Sequence, residues 1–181
     1  MWKVLILVAT LLSLATFGLG QQRRIEITEA DFTKAEMIRS TNLSVFGVYL
    51  GQPVREASSA IKTGGLFSKE SAGAIEVHDL AGKTLLTLFL VDGTVDSILL
   101  NGNLADYLKG DEKKLFSPTI VDPQSSYRME LLGREDEILK NADTDMPEIS
   151  YVYFKEGIKI QGLKISRLLV SVLLFVPART R

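Results

Sequence analysis

The dipeptide Asp92-Gly93 lies between two apolar runs, Thr84–Val91 and Thr94–Leu100. A two-residue turn needs positive φ, which glycine supplies freely and aspartate tolerates, and its twist suits two antiparallel strands. The pair predicts a β-hairpin over residues 84–100 and constrains the fold more than any other local signal. A third strand-like run, Ala74–His78, precedes it across Ala81-Gly82, and Asn101-Gly102-Asn103 ends the series. Upstream, Pro53 suits a first helical position, Val54, Ala57 and Ile61 recur three to four apart, and Gly64-Gly65 stops the helix. Leu104–Leu108 reads as a helical turn and Gly110–Lys114 as a solvated connector.

The second half runs in the same order. Asp122-Pro123 opens a helix through Tyr127 and Leu131 to a stop at Gly133, and a charged loop follows from Arg134 to Met146-Pro147. Glu148–Phe154 alternates as a strand, Glu156-Gly157 turns, Ile158–Ile160 is a short strand, and Arg167–Val176 is a long apolar one. Pro53 aligns with Pro123, Gly64 with Gly133, Ile75 with Ile149, Gly82 with Gly157 and Ile98 with Leu173, at offsets of about 69 to 75 residues. The expected fold is α+β: two similar helix-plus-antiparallel-sheet units in tandem, packed as one compact body, each too small to bury its face well alone. Chance glycine matches in any α+β chain are the alternative to a true tandem.

The beginning of the chain sets an expectation about compartment. Lys3 precedes an apolar run, Val4–Leu14, and Gly18-Leu19-Gly20 places small residues just before the polar Gln21-Gln22-Arg23-Arg24. This is the pattern of a cleavable export signal, and the apolar stretch is shorter than the roughly twenty residues of a spanning helix. An uncleaved anchor is the rival. The expected organisation is a signal peptide over 1–20, an N-terminal arm over 21–42, a first unit over 43–110 and a second over 111–181. Within the arm, Thr28-Glu29-Ala30-Asp31 can cap a short helix through Ala35 and Met37. Cleavage leaves a chain secreted or periplasmic, with 20 basic against 22 acidic residues. That balance carries no electrostatic footprint for nucleic acid. The chain has no cysteine, so stability rests on packing, and neither a lipid anchor on cysteine nor stable membrane insertion after cleavage is expected. An exported chain without disulfides fits a bacterial envelope better than a eukaryotic secretory route.

The pattern Gly47-x-x-Leu50-Gly51-x-x-x-x-Glu56-Ala57, followed by a helix and glycine-punctuated strands, resembles the small envelope domains of the SmpA/OmlA outer-membrane assembly type. The tandem relatives of those domains include β-lactamase inhibitor proteins. The stretch from Leu131-Leu132-Gly133 through Tyr151-Val152-Tyr153 to Gly157-Ile158 is similar too, so the resemblance covers about residues 43–101 and 118–177. The lipidated cysteine of the lipoprotein members and the disulfides of the inhibitors are both missing here. The resemblance implies a non-catalytic protein whose sheet surface or loops bind other proteins.

Chemistry-bearing motifs are sparse. His78 is the sole histidine, so a histidine-rich metal site is excluded and a base–nucleophile set has one candidate base, beside Asp79. Ser58-Ser59 and Ser125-Ser126 lack a Gly-x-Ser-x-Gly setting, and the glycines match neither dinucleotide nor phosphate-loop spacing. Carboxylates gather at Glu135-Asp136-Glu137 and at Asp143, Asp145 and Glu148, without the glycine and distal glutamate of a known calcium loop. A solvated acidic loop is the simpler reading, and no cofactor or metal is expected. Asn42-Leu43-Ser44 is a formal glycosylation triplet.

A stronger signal is apolar character on both faces of two strands. Leu86, Leu88 and Leu90 point one way and Leu85, Phe89 and Val91 the other; Leu173 and Phe175 oppose Val172 and Leu174. A sheet with helices on one face should leave the other polar. The second face therefore needs a cover, from the other half of the chain, a second copy or another protein. Phe89, Tyr151 and Tyr153 are the candidate partner-surface residues, with tyrosine suited to contact surfaces. The expectation is an exported, non-enzymatic binding protein of the cell envelope, engaging another envelope protein or itself. The alternative is a secreted hydrolase or small-ligand carrier using carboxylates near His78 or Asp96.

Overall fold

In the computed structural model, residues 38–141 and 146–177 of the chain are described. Among the described residues, two helices, α1 (Val54–Thr63) and α2 (Ser126–Leu132), each precede four strands. The first four are β1 (Phe67–Ser71), β2 (Ala74–His78), β3 (Thr84–Val91) and β4 (Thr94–Asn101). The second four are β5 (Glu137–Asn141), β6 (Glu148–Tyr153), β7 (Ile158–Leu163) and β8 (Leu169–Phe175). All eight form one antiparallel sheet in the order β1-β2-β3-β4-β8-β7-β6-β5. Two four-stranded meanders thus meet at their last strands, and the fold is α+β. The chain divides into the units Met1–Asp31 and Phe32–Arg181. The expected signal peptide, the helix proposed over 28–37 and most of the arm lie outside the described residues.

Local chemistry explains most boundaries. The central hairpin turns on Asp92 and Gly93, both at positive φ (50° and 76°). Helix α1 has Glu56 in its first turn and Lys62 in its last, as the helix dipole favours, and it ends at Gly64. Pro53 stands at the N-cap rather than the first helical position. The amide of Val54 donates to the Gly93 carbonyl and that of Val95 to the Gln52 carbonyl, tying the helix start to the β3–β4 turn. Helix α2 begins later than Asp122-Pro123 suggests, because the Ser125 side chain caps it by accepting from the Arg128 amide at 3.4 Å.

The sheet departs from the sequence expectation at its two edges. Residues 137–141 form β5 where a charged loop was expected, and β1 has no counterpart among the three predicted strands. Every residue of both edge strands is exposed. With neither face buried, neither strand needs apolar alternation, and pairing to β2 and β6 alone makes them strands. Short 3-10 turns at Gly102–Asp106 and Glu112–Phe116 occupy the region read as helical turn and connector.

One contiguous core spans both halves. Ile75, Val77, Leu86, Leu88, Ile98 and Leu100 enter it from the first four strands, and Ile149, Tyr151, Ile160, Val172 and Leu174 from the second four. Ala57 and Ile61 from α1 and Leu132 from α2 complete it with Leu104, Leu115 and Ile120 from the connection. At about 25 cal/mol per Å² of apolar surface, each fully buried leucine or isoleucine contributes roughly 1.5–3 kcal/mol. Among the described residues, no helix is long and apolar enough to cross a membrane.

A candidate interaction face

Side chains alternate across the pleat, so the residues between the core positions of β3, β4 and β8 share the opposite face. Leu99 pairs with Leu173 at the centre of the sheet, and Ser97 pairs with Phe175 beside them. Across β3, Thr87 pairs with Leu99 and Phe89 with Ser97. Across β7, Lys159 pairs with Leu173, and Val152 of β6 pairs with Lys159. The result is an apolar stripe of Phe89, Leu99, Leu173 and Phe175 bordered by Thr87, Ser97 and Lys159. Leu99, Leu173 and Phe175 are half-buried and Phe89 is exposed, and none belongs to the core or to the partly buried residues packed against it. Val152 in the same row is buried. Apolar and aromatic side chains with a polar border make contact area and offer no proton-transfer chemistry.

Phe89 therefore sits where a partner can reach it, at 39 % exposure. Tyr151 and Tyr153 do not, at 1 % and 0 %. Their expected place on a surface is corrected by the sheet itself: both point into the core, where Tyr151 meets helix α2. The Arg128 guanidinium stacks 3.6 Å from the Tyr151 ring centre and donates to the Ile120 and Asp122 carbonyls at 3.0 and 2.7 Å. Among the described residues, its Nε and the Tyr153 hydroxyl are buried with no hydrogen-bond partner. Burial pushes the Tyr153 hydroxyl well above the usual tyrosine range, with Arg128 opposing the shift. This buried cation escaped the sequence reading, although Arg128 stands four residues before Leu132 on the inward face of the helix.

The histidine neighbourhood is a separate place. His78 Nδ1 lies 3.2 Å from the Thr84 hydroxyl, and His78 Nε2 is 3.6 Å from a Glu76 carboxylate oxygen. Asp79, adjacent in sequence, is committed elsewhere. It accepts from the amides of Lys83 and Ala81 at 2.8 and 2.9 Å and from the Tyr107 hydroxyl at 3.1 Å. The Lys83 amide chiefly, against desolvation and helped by Tyr107 and Ala81, holds the Asp79 carboxyl below its ordinary range. Asp96 is exposed. An open cleft of about 610 Å³ is lined by Thr84, Asn101, Asn103 and Leu168–Val170.

The remaining sequence candidates are structural or solvated. Ser125 caps α2. Among the described residues, no group of three histidine, aspartate or glutamate side chains is placed to hold a metal ion. In the acidic stretch, Asp136 accepts from the Phe154 amide at 2.7 Å and Glu148 from the Gln161 side chain at 2.6 Å, while Asp143 and Asp145 lie outside the described residues. Asn42 is exposed in a 3-10 turn. No protein family, curated protein or solved structure matches the chain.

Proposed function

We propose that this is an exported, non-enzymatic interaction protein of the cell envelope, built from two related helix-plus-sheet units of the SmpA/OmlA kind. Its open sheet face receives another protein. The observation that carries the reading is the apolar stripe of Phe89, Leu99, Leu173 and Phe175 outside the core. Support for two related units comes from the repeated order of one helix and four strands, whose strands start 70, 74, 74 and 75 residues apart. The pair Ala74 with Phe89 in the first meander corresponds to Glu148 with Leu163 in the second, both members shifted by 74. The facing pair Leu99 and Leu173 is separated by the same 74 residues, as expected where an approximate two-fold axis passes between equivalent positions. The mature protein begins at Gln21 in this reading.

The test places a photo-cross-linking residue at Leu99 or Phe89 in cells, with exposed Leu80 as the control position. A discrete cross-linked protein from the two sheet positions and none from Leu80 is the expected result. Absence of any discrete product at both sheet positions would sink the reading. Mass spectrometry of the envelope-derived protein should give Gln21 as its N-terminus.

A second reading, hydrolysis or small-ligand binding near His78, is favoured by one observation. Thr84, His78 and Glu76 stand in line beside the cleft bordered by Asn101 and Asn103. Ester hydrolysis by the purified protein that disappears in both His78→Ala and Thr84→Val would establish it and displace the first reading.

A further inference from the structure

Antiparallel pairing brings the β2–β3 turn (79–83), the end of β4, the start of β8 and the β7–β8 turn (164–168) to one end of the sheet. Leu80 and Ile165, at 84 % and 80 %, are the most exposed large apolar side chains among the described residues, and each stands in one of these turns. Leu168 in the second turn and Phe67 at the start of β1 are exposed at the same end. In the strand order the two turns lie three strand spacings apart, about 14 Å.

Both turns are braced. Around Leu80 the Asp79 carboxylate accepts from the Ala81 and Lys83 amides and from the Tyr107 hydroxyl, and the Asp79 amide donates to the Lys83 carbonyl at 3.0 Å. Around Ile165 the Leu163 amide donates to the Leu168 carbonyl at 2.8 Å, and Arg167, at φ 54°, pairs with Asp122 at 2.7 Å. These bonds fix the turns with their apolar side chains in water, which is unfavourable until something apolar receives them. Between the turns lies the polar cleft bordered by Thr84, Asn101 and Asn103. An exposed lysine borders each tip, Lys83 at one and Lys164 at the other. Of the acids at this end, Asp79 and Asp122 are engaged as above and Glu148 accepts from Gln161, while Asp106 is exposed. The turns at the opposite end differ: residues 72–73 are Ala-Gly, residues 92–93 are Asp-Gly, and Phe154 in the third, at 42 %, is half as exposed as Leu80.

We propose that this end of the sheet docks peripherally on an anionic phospholipid surface. Leu80 and Ile165 enter the acyl boundary as two prongs, Lys83 and Lys164 meet lipid phosphates, and the polar cleft faces the headgroups. Only turn tips enter, so the attachment is weak and reversible and nothing spans the bilayer. A lipid surface suits the two prongs better than a protein groove does, because a polar hollow separates them and they form no continuous apolar patch. The inference goes beyond the interaction-face reading and uses none of that face.

The test mixes purified protein with vesicles of phosphatidylglycerol and phosphatidylethanolamine. The chain from Gln21 onward has no tryptophan, so Leu80→Trp and Ile165→Trp each place a reporter at a tip. Both emissions should shift to the blue and be quenched by brominated acyl chains, whereas Val91→Trp at the opposite end should show neither. The vesicle partition coefficient should fall at least about tenfold in Leu80→Ser with Ile165→Ser, and to a similar extent in Lys83→Glu with Lys164→Glu. Vesicles of phosphatidylcholine alone should bind at least about tenfold more weakly. Absence of a blue shift at both tips, or binding indifferent to both double substitutions, overturns the proposal. A discrete protein adduct from a photo-cross-linking residue at Leu80 or Ile165 in cells also overturns it, assigning the end to a protein partner. Leu99→Lys separates the two ideas: it should abolish capture on the open face and leave vesicle binding intact.

Discussion

Gly157 offers the sharpest test of how the second half is packed. Its φ is +68°, and a Cβ added there runs into the Phe175 carbonyl oxygen and the Ser40 hydroxyl, with Pro177 Cδ at 3.1 Å. Three hydrogen bonds converge on the same spot. The Phe175 amide donates to the Gly157 carbonyl, and the Ser40 amide to the Glu156 carbonyl, both at 2.8 Å. The Ser40 hydroxyl donates to the Phe175 carbonyl at 2.8 Å. Gly82 is the matched control, with φ +79° and nothing within 4 Å of its added Cβ. Alanine at either site suffers the left-handed backbone penalty of about 1–2 kcal/mol. At Gly157 the backbone must also part, and losing two of the hydrogen bonds at about 1 kcal/mol each brings the total to roughly 3–4 kcal/mol. With about 3 °C per kcal/mol for a domain of this size, Gly157→Ala should lower Tm by about 10 °C and Gly82→Ala by about 4 °C. Thermal unfolding followed by circular dichroism reads both. Adding Ser40→Ala to Gly157→Ala should recover part of the loss, since one obstructing atom is gone. Equal losses at the two glycines, or no coupling to Ser40, would refute the close-approach argument.

Three further outcomes follow from buried charge. Arg128→Met should leave the unfolding free energy within about 1 kcal/mol, because the lost stacking and hydrogen bonds are offset by removing a buried cation, whereas Arg128→Ala should cost about 3 kcal/mol; urea denaturation distinguishes them. The depressed pKa of Asp79 means that its stabilisation is complete above the ordinary carboxyl value of about 3.9 and is lost as pH falls through its lower folded value. Asp79→Asn should therefore flatten the decline of stability below about pH 4, read by denaturant midpoints across an acid series. Glu156 is buried and, chiefly through desolvation, its carboxyl is shifted upward, so its favourable contribution exists below about pH 4.3 and fades as pH rises through the higher folded value. Glu156→Gln should raise the midpoint at pH 7 and leave it unchanged at pH 3.

Elements whose signal is local were legible in the chain. Asp92-Gly93 carries its turn in its own backbone preferences, Gly64 and Gly133 stop their helices, and in β2 and β7 one residue in two meets the core. The apolar second face of β3 and β8 was readable from the period of two, whereas Leu99 of β4 joins it only through the strand pairing. Tyr151 and Tyr153 show the boundary of such reasoning. Alternation says that they share a face, but which face lies inward depends on where Arg128 and helix α2 pack. The edge strands β1 and β5 mark it again, since a strand buried on neither side has no pattern to display and exists because a neighbour offers hydrogen bonds. Residue chemistry by itself thus determined the turns, the helix ends and the α+β class. Only the tertiary structure decided which half of each strand faces inward and which strands close the sheet, because those outcomes depend on contacts between residues far apart in the chain.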